Sequence, residues 1–210
     1  MRTVISFLIL LLTLGTASAN DYQEGEHYKK ITPLPVNGPE VREFFSFYCG
    51  HCYRFEFMVK SIKENLPEGA AFVKNHVNFL GGASKKMQGL MTKALVVAEK
   101  MEGTDANIAA IFKYIHVHRA VPTSEKDIRN VFVLNGADGA KFDALMASEE
   151  VQQLADTMHE YQNTLASKGE LKSVPSVVVN GKYMIDVKHL DKDNFQQDYN
   201  NLVKYLLELK

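Results

Sequence analysis

The chain holds two cysteines, and both stand in one segment, Phe44-Phe45-Ser46-Phe47-Tyr48-Cys49-Gly50-His51-Cys52-Tyr53. A disulfide stabilises a fold more the longer the loop it closes, and a bridge from Cys49 to Cys52 closes almost none. As a staple the pair is poor, so chemistry at sulfur is its leading explanation. Val41 to Phe47, just before it, is short, aromatic and apolar apart from Arg42, Glu43 and Ser46, the pattern of a buried central strand. From Gly50 to Leu66, Phe55, Val59 and Ile62 recur at helical spacing. Pro67 and Gly69 end that helix. The cysteines therefore sit where a buried strand feeds a helix N-terminus, and there unpaired backbone N–H groups and the helix dipole favour an anion.

This placement gives the two sulfurs different tasks. Cys49 is expected to be exposed, with its thiolate stabilised and its pKa below that of a free thiol. Cys52, one turn inward, is expected to be buried and to act as the resolving partner. His51 lies between them and can add a hydrogen bond or positive charge. Glu43 is the odd residue of the strand and admits two readings. It is a strand-edge side chain reaching solvent, since carboxylates are rarely buried unpaired, or a buried acid behind the cysteines that moves protons during exchange. Lys74, on the next strand, is its candidate partner.

Metal and haem readings fail on ligands. Structural zinc takes about four ligands, whereas His27, His76, His116, His118, His159 and His189 are scattered and read as ordinary surface or core residues. A c-type haem needs His directly after the second Cys; here that residue is Tyr53. No metal is expected, and no cofactor beyond a redox-active Cys49–Cys52 disulfide.

The first nineteen residues differ from the rest. Arg2 is followed by the apolar run Val4 to Leu14 and by Ala17-Ser18-Ala19. That is the layout of a signal peptide over 1–19, cleaved before Asn20, and it is too short for a spanning helix of about 20 residues. Export brings the cysteines into an oxidising compartment. With 24 basic and 25 acidic side chains, the chain lacks the basic excess of nucleic-acid or anionic-membrane binders.

Tyr28 to Ile31 reads as a short edge strand and Ala71 to Phe79 as a second strand, and the order strand–helix–strand gives a βαβ unit. After Gly81-Gly82 the pattern turns helical. Leu90, Met91, Ala94, Leu95, Ala98 and Met101 form one stripe, and Ile108, Ile111, Phe112 and Ile115 another; both read as core. Ser124 with Asp127 marks a helix start, Asp standing for the usual Glu of a capping box. Gly136 and Gly169 mark helix ends. Ser176 to Val179, Asn180-Gly181 and Tyr183 to Asp186 spell a hairpin, and Asp193 is the expected cap of a last helix. Two strands alone are marginal, so the hairpin joins the earlier strands. The expected layout is an α/β domain over 20–82 and 159–210, with an all-helical insertion over 83–158. Val174-Pro175 opens the hairpin; about 5–6% of X–Pro bonds are cis, too few to assign cis from sequence.

Several segments together resemble the DsbA family of periplasmic thiol:disulfide interchange proteins of Gram-negative bacteria. They are Glu43-Phe44-Phe45-Ser46-Phe47-Tyr48-Cys49 with Cys52-Tyr53-Arg54-Phe55-Glu56, then His76-Val77-Asn78-Phe79-Leu80-Gly81-Gly82, and Val174-Pro175-Ser176 with Val179-Asn180-Gly181-Lys182-Tyr183. The resemblance spans the whole chain after residue 19. It implies a thioredoxin fold interrupted by a helical domain. It makes Cys49 the nucleophile, Cys52 its buried partner and Pro175 a cis-proline facing them, with Val174 offering backbone groups to a substrate strand. Glu43, Glu56 and Lys74 match the family's charged residues beneath the site. The implied activity is oxidation of unfolded or reduced exported proteins by a monomer, with reoxidation by a quinone-linked membrane protein like DsbB. One departure bears on potency. The family's usual dipeptide between the cysteines is Pro-His; here it is Gly50-His51, the pair of protein disulfide isomerase, which keeps a disulfide isomerase or reductase open. A redox-inert chaperone or metal carrier is the alternative of another class. Strong oxidants and strong reductants of this superfamily differ by about 150 mV, roughly 7 kcal/mol for two electrons. A helix dipole supplies at most about 2 kcal/mol, so hydrogen bonds around Cys49, including His51, must supply the rest.

Overall fold

The computed structural model describes residues 22–209; the expected signal peptide over 1–19 lies outside them. A five-stranded sheet forms the centre. Its strands are β1 (Tyr28–Lys30), β2 (Glu40–Phe45), β3 (Ala71–His76), β4 (Ser176–Val179) and β5 (Tyr183–Ile185), in the order β1-β5-β4-β2-β3. Strand β2 is central and wholly buried. It runs parallel to β3, with Glu43 opposite Lys74, and antiparallel to β4, with Phe44 opposite Ser176. The parallel pair is joined through α1 (Gly50–Asn65), which is the βαβ unit expected.

Helices α2 (Lys85–Lys100), α3 (Thr104–His116), α4 (Glu125–Leu134), α5 (Gly139–Met146) and α6 (Glu149–Ser167) follow β3, and α7 (Phe195–Glu208) ends the described chain. The fold is thus the thioredoxin-like α/β arrangement with its helical block between β3 and β4. Helix α2 is the hub of that block. Ala94 to Ala98 are all buried, because α3, α4, α5 and α6 surround them; a helix apolar all round is a core helix. Phe45, Phe47 and Cys52 belong to the same apolar cluster as α2, Phe112 and Phe132. The redox turn is therefore built into the junction between sheet and helical block. A second cluster packs α1 and α7 on one sheet face through Val41, Ile62, Tyr199 and Leu202. A third covers the other face through Phe44, Leu165, Leu171 and Val178. The expected division between residues 158 and 159 falls inside α6, which also touches β3.

Element ends depart from expectation for local reasons. Strand β2 stops at Phe45 rather than Phe47, because Ser46 starts a turn: its carbonyl accepts Cys49 N–H at 3.0 Å and its hydroxyl accepts Tyr48 N–H at 3.2 Å. Strand β3 stops at His76 rather than Phe79, since Asn78 N–H turns to the Gln162 amide oxygen. The cap of α7 is Asn194, not Asp193, and it makes no side-chain capping bond. Elsewhere the local signals hold. Ser124 and Asp127 form a reciprocal capping box. Asn180 and Gly181 both have positive φ, 51° and 63°, as a type I′ hairpin turn requires.

Candidate active site

Cys49 occupies the N-cap of α1 with extended backbone, φ −92° and ψ 110°. Ser or Asp usually stands there because a side-chain oxygen can accept an orphan N–H of the first turn. Here sulfur does so: Cys49 Sγ accepts the Cys52 N–H at 3.1 Å. The two thiols are unbonded, Cys49 half-buried and Cys52 fully buried. The Cys49 thiol is pulled down from 9.0 to about 6, first by the hydrogen bond from the Cys52 thiol. Burial opposes this, while the backbone N–H groups of Cys52 and His51 and positive charge at His51 act with it. Cys52 moves the opposite way, raised by that same hydrogen bond and then by burial. The two thiols thus differ in burial and acidity, with Cys49 half-buried rather than exposed as expected.

His51 is exposed, and Arg54 Nη2 lies 3.0 Å from its Nδ1. Gly50 is the first helical residue; a Cβ there would meet Arg54 Nη1 at 3.8 Å and His116 ring atoms at 3.9 Å.

Beneath the cysteines, Lys74 Nζ donates to Glu43 Oε2 at 2.6 Å and to Glu56 Oε1 at 2.7 Å. Glu43 is fully buried, so the solvent-edge reading is set aside. The parallel register of β2 and β3 puts its side chain beside Lys74. Glu43 Oε1 has no hydrogen-bond partner. Burial pushes the Glu43 carboxyl up; the Lys74 charge resists, and the negative charges of Glu56 and Cys49 add to the rise. For Lys74, burial acts downward, but the two carboxylates overcome it and keep the ammonium charged.

The Val174–Pro175 peptide is cis. Val174 O lies 3.5 Å from Cys49 Sγ, so the loop before β4 closes over the nucleophile candidate. Beside it runs a groove of about 610 Å³ lined by His51, Arg54, Phe57, Met58, Val174 and Pro175, among others. Phe57 is 60% exposed on its rim. Among the described residues no cluster of three or more His, Cys, Asp or Glu side chains could hold a metal, and no helix is long and apolar enough to cross a membrane.

Every site residue expected from the sequence converges on this turn: Cys49, Gly50, His51 and Cys52 on top, Glu43, Glu56 and Lys74 below, Val174 and Pro175 alongside. The sequence did not single out His116. Its Nε2 lies 2.8 Å from Phe47 O and its ring stacks on Tyr53. The one local signal was its position four residues after Phe112, on the apolar face of its helix.

The chain is similar along its length to known proteins of one family. The sequence model of the DSBA-like thioredoxin domain matches residues 40–200. The chain is 35% identical over 216 residues to the thiol:disulfide interchange protein DsbA of Escherichia coli, and 36% to that of Salmonella typhimurium, with both chains covered in full. Among solved structures, DsbA of Klebsiella pneumoniae superposes with a TM-score of 0.79 at 29% identity, covering 91% of this chain and all of that one. DsbA of Proteus mirabilis superposes at 0.75 and 28%, covering 90% and 98%. A variant of the Proteus protein has been solved with the non-covalently bound peptide PWATCDS.

Proposed function

The chain belongs to the DsbA-like thioredoxin-domain family and is a thiol:disulfide oxidoreductase, and from that premise we propose that it donates its Cys49–Cys52 disulfide to reduced proteins exported to the periplasm. The observation that carries this reading is the sulfur cap: Cys49 Sγ accepts an N–H of α1 and has its pKa drawn to about 6. A thiolate so stabilised favours the open dithiol over the closed ring, which is what makes a disulfide a good oxidant.

In the cycle, a substrate thiolate attacks Cys49 Sγ of the disulfide. The new S–S bond joins substrate to Cys49, and the electron pair of the old bond leaves on Cys52. Cys52 holds charge badly because it is fully buried, so it must take a proton. Glu43 is our assigned donor: its Oε1 is uncommitted and its carboxyl is raised by burial. Lys74, shared with Glu56, keeps the donor in place. A second substrate thiolate then attacks the substrate sulfur, forming the substrate disulfide and expelling Cys49 as thiolate. A low leaving-group pKa speeds that step. Val174 and Pro175 hold the substrate strand beside Cys49, and the groove past Phe57 takes flanking residues; the peptide complex of the Proteus relative supports a peptide-binding role. The enzyme acts as a monomer without added cofactor, and a DsbB-like quinone-linked membrane protein restores its disulfide.

Replacing Cys49 with Ala should abolish oxidation of a reduced test protein. Equilibration with glutathione then separates donor from reductant. A potential near the roughly −270 mV of thioredoxin would sink the oxidase assignment in favour of the isomerase or reductase that Gly50-His51 leaves open.

A further inference from the structure

We propose that His116, carried by the helical block, is a positioning residue that holds the redox turn in its dithiol conformation by gripping it on both sides of the cysteine pair; this rests on the oxidase reading. His116 is the last residue of α3. Upstream of the pair, its Nε2 lies 2.8 Å from Phe47 O. A carbonyl only accepts, so Nε2 carries the hydrogen. Downstream, its ring stacks on Tyr53 at 5.2 Å with an interplanar angle of 7°. Between these holds, its Nδ1 edge faces the place where a Gly50 side chain would begin. One imidazole thus spans the turn from residue 47 to residue 53.

The peptide it grips sets the geometry of the sulfur. After Phe47, Tyr48 N–H bonds the Ser46 hydroxyl and Cys49 N–H bonds the Ser46 carbonyl. With those links made, Cys49 Sγ reaches the Cys52 N–H. Among the described contacts the donor to the Phe47 carbonyl is His116. Without it, a part-buried carbonyl lacks a partner, a penalty the turn escapes only by moving. Closing the disulfide removes the negative charge from Cys49 Sγ and so weakens it as an acceptor for the first turn. The grip orders the turn in which that sulfur is capped, so removing it weakens the open form more than the closed one. The helical block thereby acts on the chemistry as well as on the shape of the molecule.

Two substitutions separate this from plain packing. His116→Phe keeps an aromatic ring against Tyr53 and loses the donor; His116→Gln keeps an N–H donor within reach of Phe47 O. The readouts are the redox equilibrium constant against glutathione, the Cys49 thiolate titration by ultraviolet absorbance, and the thermal midpoints of both redox forms. For His116→Phe the constant should shift about threefold to tenfold toward the closed disulfide, the range of one net hydrogen bond. The thiolate midpoint should rise and the reduced form should lose more stability than the oxidised one. His116→Gln should recover most of each change. If His116→Phe keeps the wild-type constant and titration while both forms lose equal stability, the proposal is overturned and the ring is packing alone. Should that variant fail to fold, His116→Asn, whose amide is too short for Phe47 O, is read by the same criteria. Failure of the oxidase reading shows separately, as a wild-type protein that does not oxidise the test substrate.

Discussion

Lowering the pH from 8 to 5 should remove from the reduced form a stabilisation that the oxidised form never has. Folding as the dithiol takes Cys49 from 9.0 to about 6. A folded pKa below the unfolded one means the native state releases its proton first. The contribution is therefore complete above pH 9 and is lost as pH falls through about 6. Linkage gives about 2.7 kcal/mol at pH 8, about 1.4 at pH 7 and almost nothing at pH 5. These are ceilings, because Cys49 is only half-buried and solvent screens its interactions. The pH 8 figure corresponds to about 60 mV of added oxidising power. The assay is urea unfolding of both redox forms at pH 8 and pH 5. Subtracting the oxidised from the reduced stability cancels every group that titrates alike in the two. Glu43 does not cancel, since the charge on Cys49 helps to raise it; repeating the series on Glu43→Gln removes that contribution. The reduced-minus-oxidised difference should fall by roughly 1–3 kcal/mol between pH 8 and pH 5. A flat difference, or one that grows as the pH drops, would refute the view that thiolate stabilisation drives the chemistry.

Gly50→Pro should fold and be more stable by about 0.4–1 kcal/mol in denaturant titration. The site is a first helical position, the preceding residue is extended as a proline requires, and a Cβ there has ordinary contact distances. A loss of stability would contradict that reading of the turn. Lys74→Met should destabilise by roughly 3–5 kcal/mol at pH 8, because Glu43 is left buried without its cation. The loss should shrink as the pH falls, because burial raises the Glu43 carboxyl and a protonated Glu43 no longer needs the cation; urea midpoints at pH 8 and pH 5 check this. Gly181→Ala should cost more than about 1–2 kcal/mol. Its φ is +63° and the added Cβ would lie 2.5 Å from Leu34 O. Melting temperature measures that loss, and the Cys49 titration should not move.

What could be read from the sequence was whatever is decided within a few residues. The sulfur cap, the capping box at Ser124 and the turn at Asn180-Gly181 each depend on neighbours along the chain, and each is found where local chemistry puts it. Asp193 and Asn194 show the limit of that logic: both are good caps and they are adjacent, yet Asn194 takes the position without a side-chain capping bond and its amide donates to Asp191 instead. Glu43 shows a different limit. A carboxylate in an apolar strand is equally consistent with an edge and with a buried ion pair, and what decides is the register of β2 against β3, a fact about two segments some thirty residues apart. His116 lies further out of reach. Its helix was legible as an apolar stripe, but the carbonyl it meets belongs to a turn 69 residues earlier. The cysteine chemistry was thus readable where one helix start provides it, and hidden where a second structural unit reaches in to hold that start. It follows that relatives sharing the cysteine motif should differ in oxidising power through residues like His116, on the helical block, as well as through the dipeptide between the cysteines.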